Sequence, residues 1–302
     1  MTNEQRLRHL EAPSGDVDVV LDTDAYNEID DQYAIAYLLR SKEKINVRAI
    51  CAAPFFKSGV SSAQEGMEKS YDEIQKILSL TGESVPTFKG AGEYLKDEST
   101  PVISDASRRI AELANEYSPA NPLYVVAIGA ITNVASALLL NHEMKERTVV
   151  VWLGGNAHHH PGTAEFNMVQ DIAAARVVMQ SGVPLVQLPC AGVVDRFSIS
   201  RPELEYWFLG KNELSDYLAK ITIAEAEKRK AGKPWTRVIW DVTAIAWLIN
   251  GPGLFMKSKI IPTRVPTYKS VYDTEYQGYP MAYVYHIYRD ALMTDLIDKL
   301  TK

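Results

Sequence analysis

Five acidic side chains fall within ten residues in the segment Asp22-Thr23-Asp24-Ala25-Tyr26-Asn27-Glu28-Ile29-Asp30-Asp31. Ionised together they repel one another, so the cluster must be fully solvated or neutralised by a cation. Capping and a favourable helix-dipole position account for Asp30 or Asp31, but not for Asp22 and Asp24 as well. Hard cations such as Ca²⁺ take six to eight oxygens, and one acidic loop supplies several. A water activated at such an ion, beside a spare carboxylate, is a nucleophile near neutral pH. The segment therefore reads as a cation-dependent hydrolytic centre.

Three more segments carry polar groups at suggestive places. In Ala127-Ile128-Gly129-Ala130-Ile131-Thr132-Asn133, the glycine permits a tight turn and Thr132 or Asn133 could cap a helix. Leu153-Gly154-Gly155-Asn156 leads through His158-His159-His160 to Ala164-Glu165-Phe166-Asn167. Consecutive histidines point in different directions, which argues against one zinc ion and for a hydrogen-bonding cradle suited to a polyhydroxylated ligand. In Trp240-Asp241, the acid could cap the apolar run that follows and the indole could stack on an aromatic ligand. A haloacid-dehalogenase-type phosphatase also uses a strand-end Asp-x-Asp, but Ala25-Tyr26 stands where that class usually has a Gly-Thr turn.

These groups need elements to position them. Apolar runs predict strands over 17–22, 45–52, 122–128, 148–153 and 184–188. Helical patterns cover 31–41, 60–80, 104–117, 132–141, 168–181, 212–230 and 241–250, with a closing amphipathic helix near 290–300. Alternation of this kind predicts an α/β fold: an open, mostly parallel sheet with helices on both faces. Side chains leaving the carboxyl ends of such strands converge on one rim, which is how segments distant in sequence come to share a pocket. No linker or repeat divides the chain, so residues 1–302 read as a single domain. The segment Tyr268–Tyr288 is aromatic-rich and less regular.

Composition narrows the field. With 302 residues and 46% hydrophobic content, the chain can bury a sizeable core. A net charge of −6 with no basic stripe disfavours nucleic acid and anionic membranes. Cys51 and Cys190 lie in apolar surroundings and read as buried thiols of a cytosolic protein. The polar N-terminus lacks a signal-peptide core, and Leu123–Ile131 is far shorter than the roughly 20 residues that span a bilayer. The expectation is a soluble, cytoplasmic protein.

Taken in order, the four segments resemble the calcium-dependent nucleoside hydrolases, the inosine–uridine-preferring family. The resemblance rests on Asp22-Thr23-Asp24 with Asp30-Asp31, Ile131-Thr132-Asn133, Gly154-Gly155-Asn156, Ala164-Glu165-Phe166-Asn167 with Asp171, and Trp240-Asp241, across residues 16 to 250. It implies a Rossmann-like enzyme of nucleoside salvage that cleaves the N-glycosidic bond of ribonucleosides, giving base and ribose. It implies one Ca²⁺ held by Asp24, Asp31, the Thr132 carbonyl and Asp241, with Asp24 also taking a proton from the attacking water. Asp30 would hold ribose hydroxyls, with Asn167 and Asp241 assisting, and Asn156 would join the cradle. Glu165 and His159 would face the 5′-hydroxyl end, and Trp240 the base. Asp22 drops to a supporting place. The resemblance also implies a dimer or tetramer, with a small nucleoside as the only other partner.

The chain departs from that family's usual pattern at the pocket. Five residues, Ala25 to Ile29, separate Asp24 from Asp30, two more than the usual Pro-Gly-x, and could bring Asn27 or Glu28 into the pocket. Ala52-Ala53-Pro54-Phe55-Phe56 replaces the usual Gly-Asn, His159 stands for an asparagine, and Trp240 for the histidine that can protonate the leaving base. An aromatic group there would stack on the base, which suits purines. A non-catalytic riboside- or sugar-binding protein of the same fold is the alternative.

Overall fold

The computed structural model describes residues 1–230 and 232–302. In chain order the elements are α1 (Asn3–His9), β1 (Val17–Thr23), α2 (Asp30–Leu39), β2 (Ile45–Ala52), α3 (Ala63–Thr81), β3 (Thr87–Lys89) and α4 (Asp105–Leu113). Next come β4 (Leu123–Ala127), α5 (Thr132–Leu140), β5 (Thr148–Leu153), α6 (Phe166–Gln170), α7 (Ile172–Gln180), β6 (Leu185–Leu188) and β7 (Ser198–Ser200). The chain continues with α8 (Arg201–Glu203), which runs into a π-helical turn, then α9 (Glu213–Lys230), β8 (Thr236–Val238) and α10 (Val242–Leu248). It closes with β9 (Met256–Pro262), β10 (Pro280–Ile287) and α11 (Arg289–Thr301).

All five expected strands are present, as the inner strands of an eight-stranded sheet of order β3-β2-β1-β4-β5-β6-β10-β9. Every pairing in it is parallel except β10 with β9. Their runs are mainly apolar because both faces are covered over most of their length. On β1, Val19 and Leu21 face the core shared with α2, α10 and α11, while Val20 points to the core shared with α4, α5 and α7. The expected α/β architecture with helices on both faces therefore holds. The strand order reverses beside β1: successive crossovers lead outward to β2 and β3 on one side, then to β4, β5 and β6 on the other. That reversal opens a crevice at the carboxyl ends of β1 and β4, the usual ligand position in such sheets.

The remaining elements differ from expectation in instructive ways. The helix expected over 168–181 is two helices, because Asp171 leaves helical geometry and caps α7 through Ala174 N. The aromatic-rich stretch contains β10, and an antiparallel ribbon β7–β8 lies apart from the main sheet. None of the helices among the described residues is long and apolar enough to cross a membrane.

Candidate active site

At the crevice, a cavity of about 250 Å³ is lined by Asp24, Asp30, Asp31, Asn156, Glu165, Asn167, Trp240 and Asp241 among others. Eight of the ten expected site residues thus meet in one place, drawn from the exits of β1, β5 and β8. Of the other two, Thr132 is buried just behind, its Oγ1 donating to Asp171 Oδ2 at 2.8 Å. His159 is exposed beside Gly192, next in the chain to the lining residue Ala191.

The aspartates are available because none of them caps a helix. α2 starts after Ile29 and α5 after Ile131, neither with a side-chain cap, and Asp241 precedes α10 without bonding its first turn. The capping account of Asp241 therefore fails. One carboxylate oxygen each of Asp30, Asp31 and Asp241 lies within 4.8 Å of the others. Asp31 also accepts from Thr23 Oγ1, and Asp30 Oδ2 accepts the main-chain N–H of Trp240 at 3.0 Å. Asp24 stands against Gly129, where an added Cβ would meet its Cγ at 2.9 Å, so a side chain at 129 would push it away. Asp24 Oδ2 is buried without a hydrogen-bond partner.

The electrostatics are those of a site that favours a cation. Burial pushes Asp30 up to about 8, with the charges of Glu28 and Asp31 adding to it. Burial likewise carries Asp31 to about 7. Asp24 and Asp241 rise well above the carboxylate range, first through burial and then through each other's neighbourhood of aspartates. Four buried acids that each favour the neutral form are costly at neutral pH, and a divalent ion reverses that preference. The all-oxygen donor set and the orphaned Asp24 oxygen fit a hard cation. The closest trio contains Asp30 rather than Asp24, so Asp30 is near enough to compete for such an ion.

Glu165 is used differently. It caps α6, with Oε1 accepting Asn167 N and Oε2 accepting Met168 N and Gly155 N at 2.9, 3.1 and 2.7 Å. Gly155 reaches that bond from a left-handed φ of 74° that favours glycine. Asn156 pins the loop, its Nδ2 donating to Gly162 O and its Oδ1 accepting from Ala191 N. Asn167 donates from Nδ2 to the Ile128 and Leu153 carbonyls, leaving Oδ1 as the acceptor open to a ligand. Asp22 points into the opposite core face, where Asn133 Nδ2 donates to it at 2.8 Å, and burial raises it to about 7.

Two groups in the extra loop residues, Asn27 and Glu28, do line the cavity. Glu28 is fixed there by Arg237, at 2.8 Å. Cys190 also lines it, although its sequence gives only a buried thiol. Its place just beyond the carboxyl end of β6 is the signal that marks it, since strand exits feed this rim.

Comparison with known proteins agrees with this geometry. Residues 19–281 match the family described as "Inosine-uridine preferring nucleoside hydrolase". The pyrimidine-specific ribonucleoside hydrolase RihA of Escherichia coli O9:H4 (strain HS) is 27% identical over 264 residues, covering 78% of this chain and 80% of RihA. The non-specific ribonucleoside hydrolase RihC of Salmonella paratyphi B is 28% identical over 259 residues, covering 78% and 79%. Among solved structures, a plant nucleoside hydrolase, PpNRh1, shares the fold with a TM-score of 0.75 at 18% identity, covering 94% of this chain and 99% of that one. A purine-preferring ribonucleoside hydrolase from Gardnerella vaginalis does so at 0.73 and 19%, covering 94% and 98%. The chain belongs to the inosine-uridine preferring nucleoside hydrolase family, whose members are hydrolases acting on N-glycosyl bonds.

Proposed function

We propose that this protein hydrolyses ribonucleosides, or closely related ribosides, to free base and ribose in a Ca²⁺-dependent reaction with Asp24 as general base. The observation that carries this reading is the convergence of Asp24, Asp30, Asp31 and Asp241, all buried and none capping a helix, on one cavity of a nucleoside hydrolase fold.

Asp24, Asp31, Asp241 and the Thr132 carbonyl would hold the ion. When bound, it supplies charge neutralisation for the acids and lowers the proton affinity of water. Asp30 and Asn167 Oδ1 would take the ribose hydroxyls, and Glu165 and His159 lie toward the 5′-hydroxyl end. Cleavage develops oxocarbenium character on the sugar, which the surrounding carboxylates stabilise. Water forms the new bond to the anomeric carbon as Asp24 takes its proton. The N-glycosidic electron pair leaves with the base, which then takes up a proton. General-base help of this kind is worth about 10²–10⁴-fold. Trp240 would stack on the base.

Incubation with a nucleoside panel, with and without chelator, tests the reading through reducing-sugar release. Chelator-sensitive ribose release that Ca²⁺ restores is expected. Tight nucleoside binding with no release would instead favour a riboside-binding protein. The same reading places the protein in the cytoplasm as a dimer or tetramer serving nucleoside salvage, and light scattering of the purified protein checks the assembly.

A further inference from the structure

A second cavity, of about 430 Å³, adjoins the first and shares Asn27 and Glu28 with it. Its character is the reverse of its neighbour's. Lys57, Lys76 and Lys228 line it, and none of the three has an ion-pair partner among the described residues. Two of the three acids around them are paired with arginines, and the third, Glu73, has only neutral donors and offsets one of the lysines. Glu28 pairs with Arg237, and Glu225 pairs with Arg229 at 2.7 Å and lies 3.1 Å from Arg237 Nε. Glu73 accepts from Gln32 and from the Tyr217 hydroxyl. The cavity therefore carries uncommitted positive charge.

Two of the lysines have defined neighbours, and Lys228 is exposed. Lys57 is half-buried, with its Nζ 5.5 Å from the centre of the Phe55 ring. Lys76 Nζ sits 4.0 Å from the centre of the Tyr217 ring. Tyr217 and Tyr26 both line the cavity, and Lys69 Nζ lies 5.7 Å from the centre of the Tyr26 ring. The cavity opens from the loop that follows β1. Glu165 and Asn156, by contrast, bound the first pocket from the β5 side. A riboside with its sugar on the aspartates, its 5′ end toward Glu165 and its base against Trp240 would direct the outer edge of that base toward the cationic cavity.

Resting on the reading above, we propose that this cavity is an anion subsite for the leaving group, and that the preferred substrates are ribonucleosides whose base carries a carboxylate or comparable negative charge. Trp240 covers the ring in the first cavity, and the lysines of the second meet the charge of the substituent that projects from it. The same cations favour the departing base, which leaves with the bonding electron pair.

The test compares 5-carboxyuridine with its neutral counterpart 5-carbamoyluridine in wild type and in a Lys57→Met/Lys76→Met/Lys228→Met variant. The wild type should favour the carboxylate in kcat/KM by about tenfold, the ratio that 1.4 kcal/mol gives. The triple variant should bring that ratio near unity. Uridine 5′-monophosphate is the control arm: a lysine-dependent preference for it over uridine, with none for 5-carboxyuridine, would assign the charge to the sugar end and overturn the proposal. Hydrolysis of both uridine derivatives at equal rates also overturns it while leaving ribohydrolase activity intact. If no ribose is released from any substrate, calorimetric binding of 5-carboxyuridine against 5-carbamoyluridine decides. Lysine-dependent discrimination there keeps the subsite although the hydrolase reading fails, and equal or absent binding removes both.

Discussion

Two sets of acids stand at helix starts around the same rim, and they are spent in opposite ways. Glu165 and Asp171 accept main-chain N–H groups of α6 and α7 and hold the loops together. Asp241 precedes α10, and Asp30 and Asp31 open α2, yet neither helix start has a side-chain cap. A capping carboxylate has its charge distributed over peptide dipoles and has less to offer a cation. An uncapped one keeps its lone pairs, at the cost of an unfavourable buried charge until a cation arrives. The difference separates structure from chemistry more sharply than residue type does.

The strongest way to break this comparison is Asp24→Asn. The substitution keeps shape while removing the base, so kcat should fall by at least about 10²–10⁴-fold with the unfolding midpoint little changed. Near-normal turnover would remove Asp24 from the chemistry.

The second prediction concerns pH. Asp31 and Asp30 have folded values near 7 and 8, above the roughly 4 of an unfolded aspartate. The folded state therefore binds more protons between these values. In metal-free protein, the stabilisation from these groups is present below about pH 4 and is lost as pH rises through 7 to 8. Melting temperatures of chelator-treated protein should decline across that window, and millimolar Ca²⁺ should flatten the decline. A profile that rises with pH in metal-free protein would mean that the acids are already neutralised by the fold.

Asp171→Ala probes the other side of the comparison. Asp171 accepts Leu95 N, Ala174 N and Thr132 Oγ1, so its loss should cost about 1–3 kcal/mol of stability. Denaturant titration measures this, and kcat at saturating Ca²⁺ should remain within about tenfold of wild type. The smallest effect belongs to Trp240→Ala. Loss of stacking worth about 0.5–1.5 kcal/mol should reduce turnover of inosine more than that of uridine. Equal losses on both, or none, would dispose of stacking as the source of base preference.

Much of this arrangement is legible in the chain because burial writes itself into composition. The strands β1, β2, β4, β5 and β6 are covered on both faces over most of their length and read as mainly apolar runs. β9 is an edge strand with mostly exposed residues, and β3 has only three residues, so neither leaves such a run. β10 lies among tyrosines and prolines that read as irregular chain. The break at Asp171 is invisible because the helical pattern continues through it, and only tertiary partners from α5 and the segment before α4 pull that side chain out of line. The aspartates were legible as a cluster. Which of them cap and which remain free was not, since both uses place the same residue at the same turn. The lysines of the second cavity left no motif, because α3, α9 and the loop after β2 meet only in the folded chain.

The bond between Trp240 and Asp30 has an evolutionary consequence. It runs through the main-chain N–H, so any residue except proline at position 240 preserves it. Under the proposed function, inheritance of the sugar-binding geometry is thereby uncoupled from the identity of the side chain proposed to face the base. A lineage can exchange histidine for tryptophan there and explore new bases without first disturbing the carboxylate beside it.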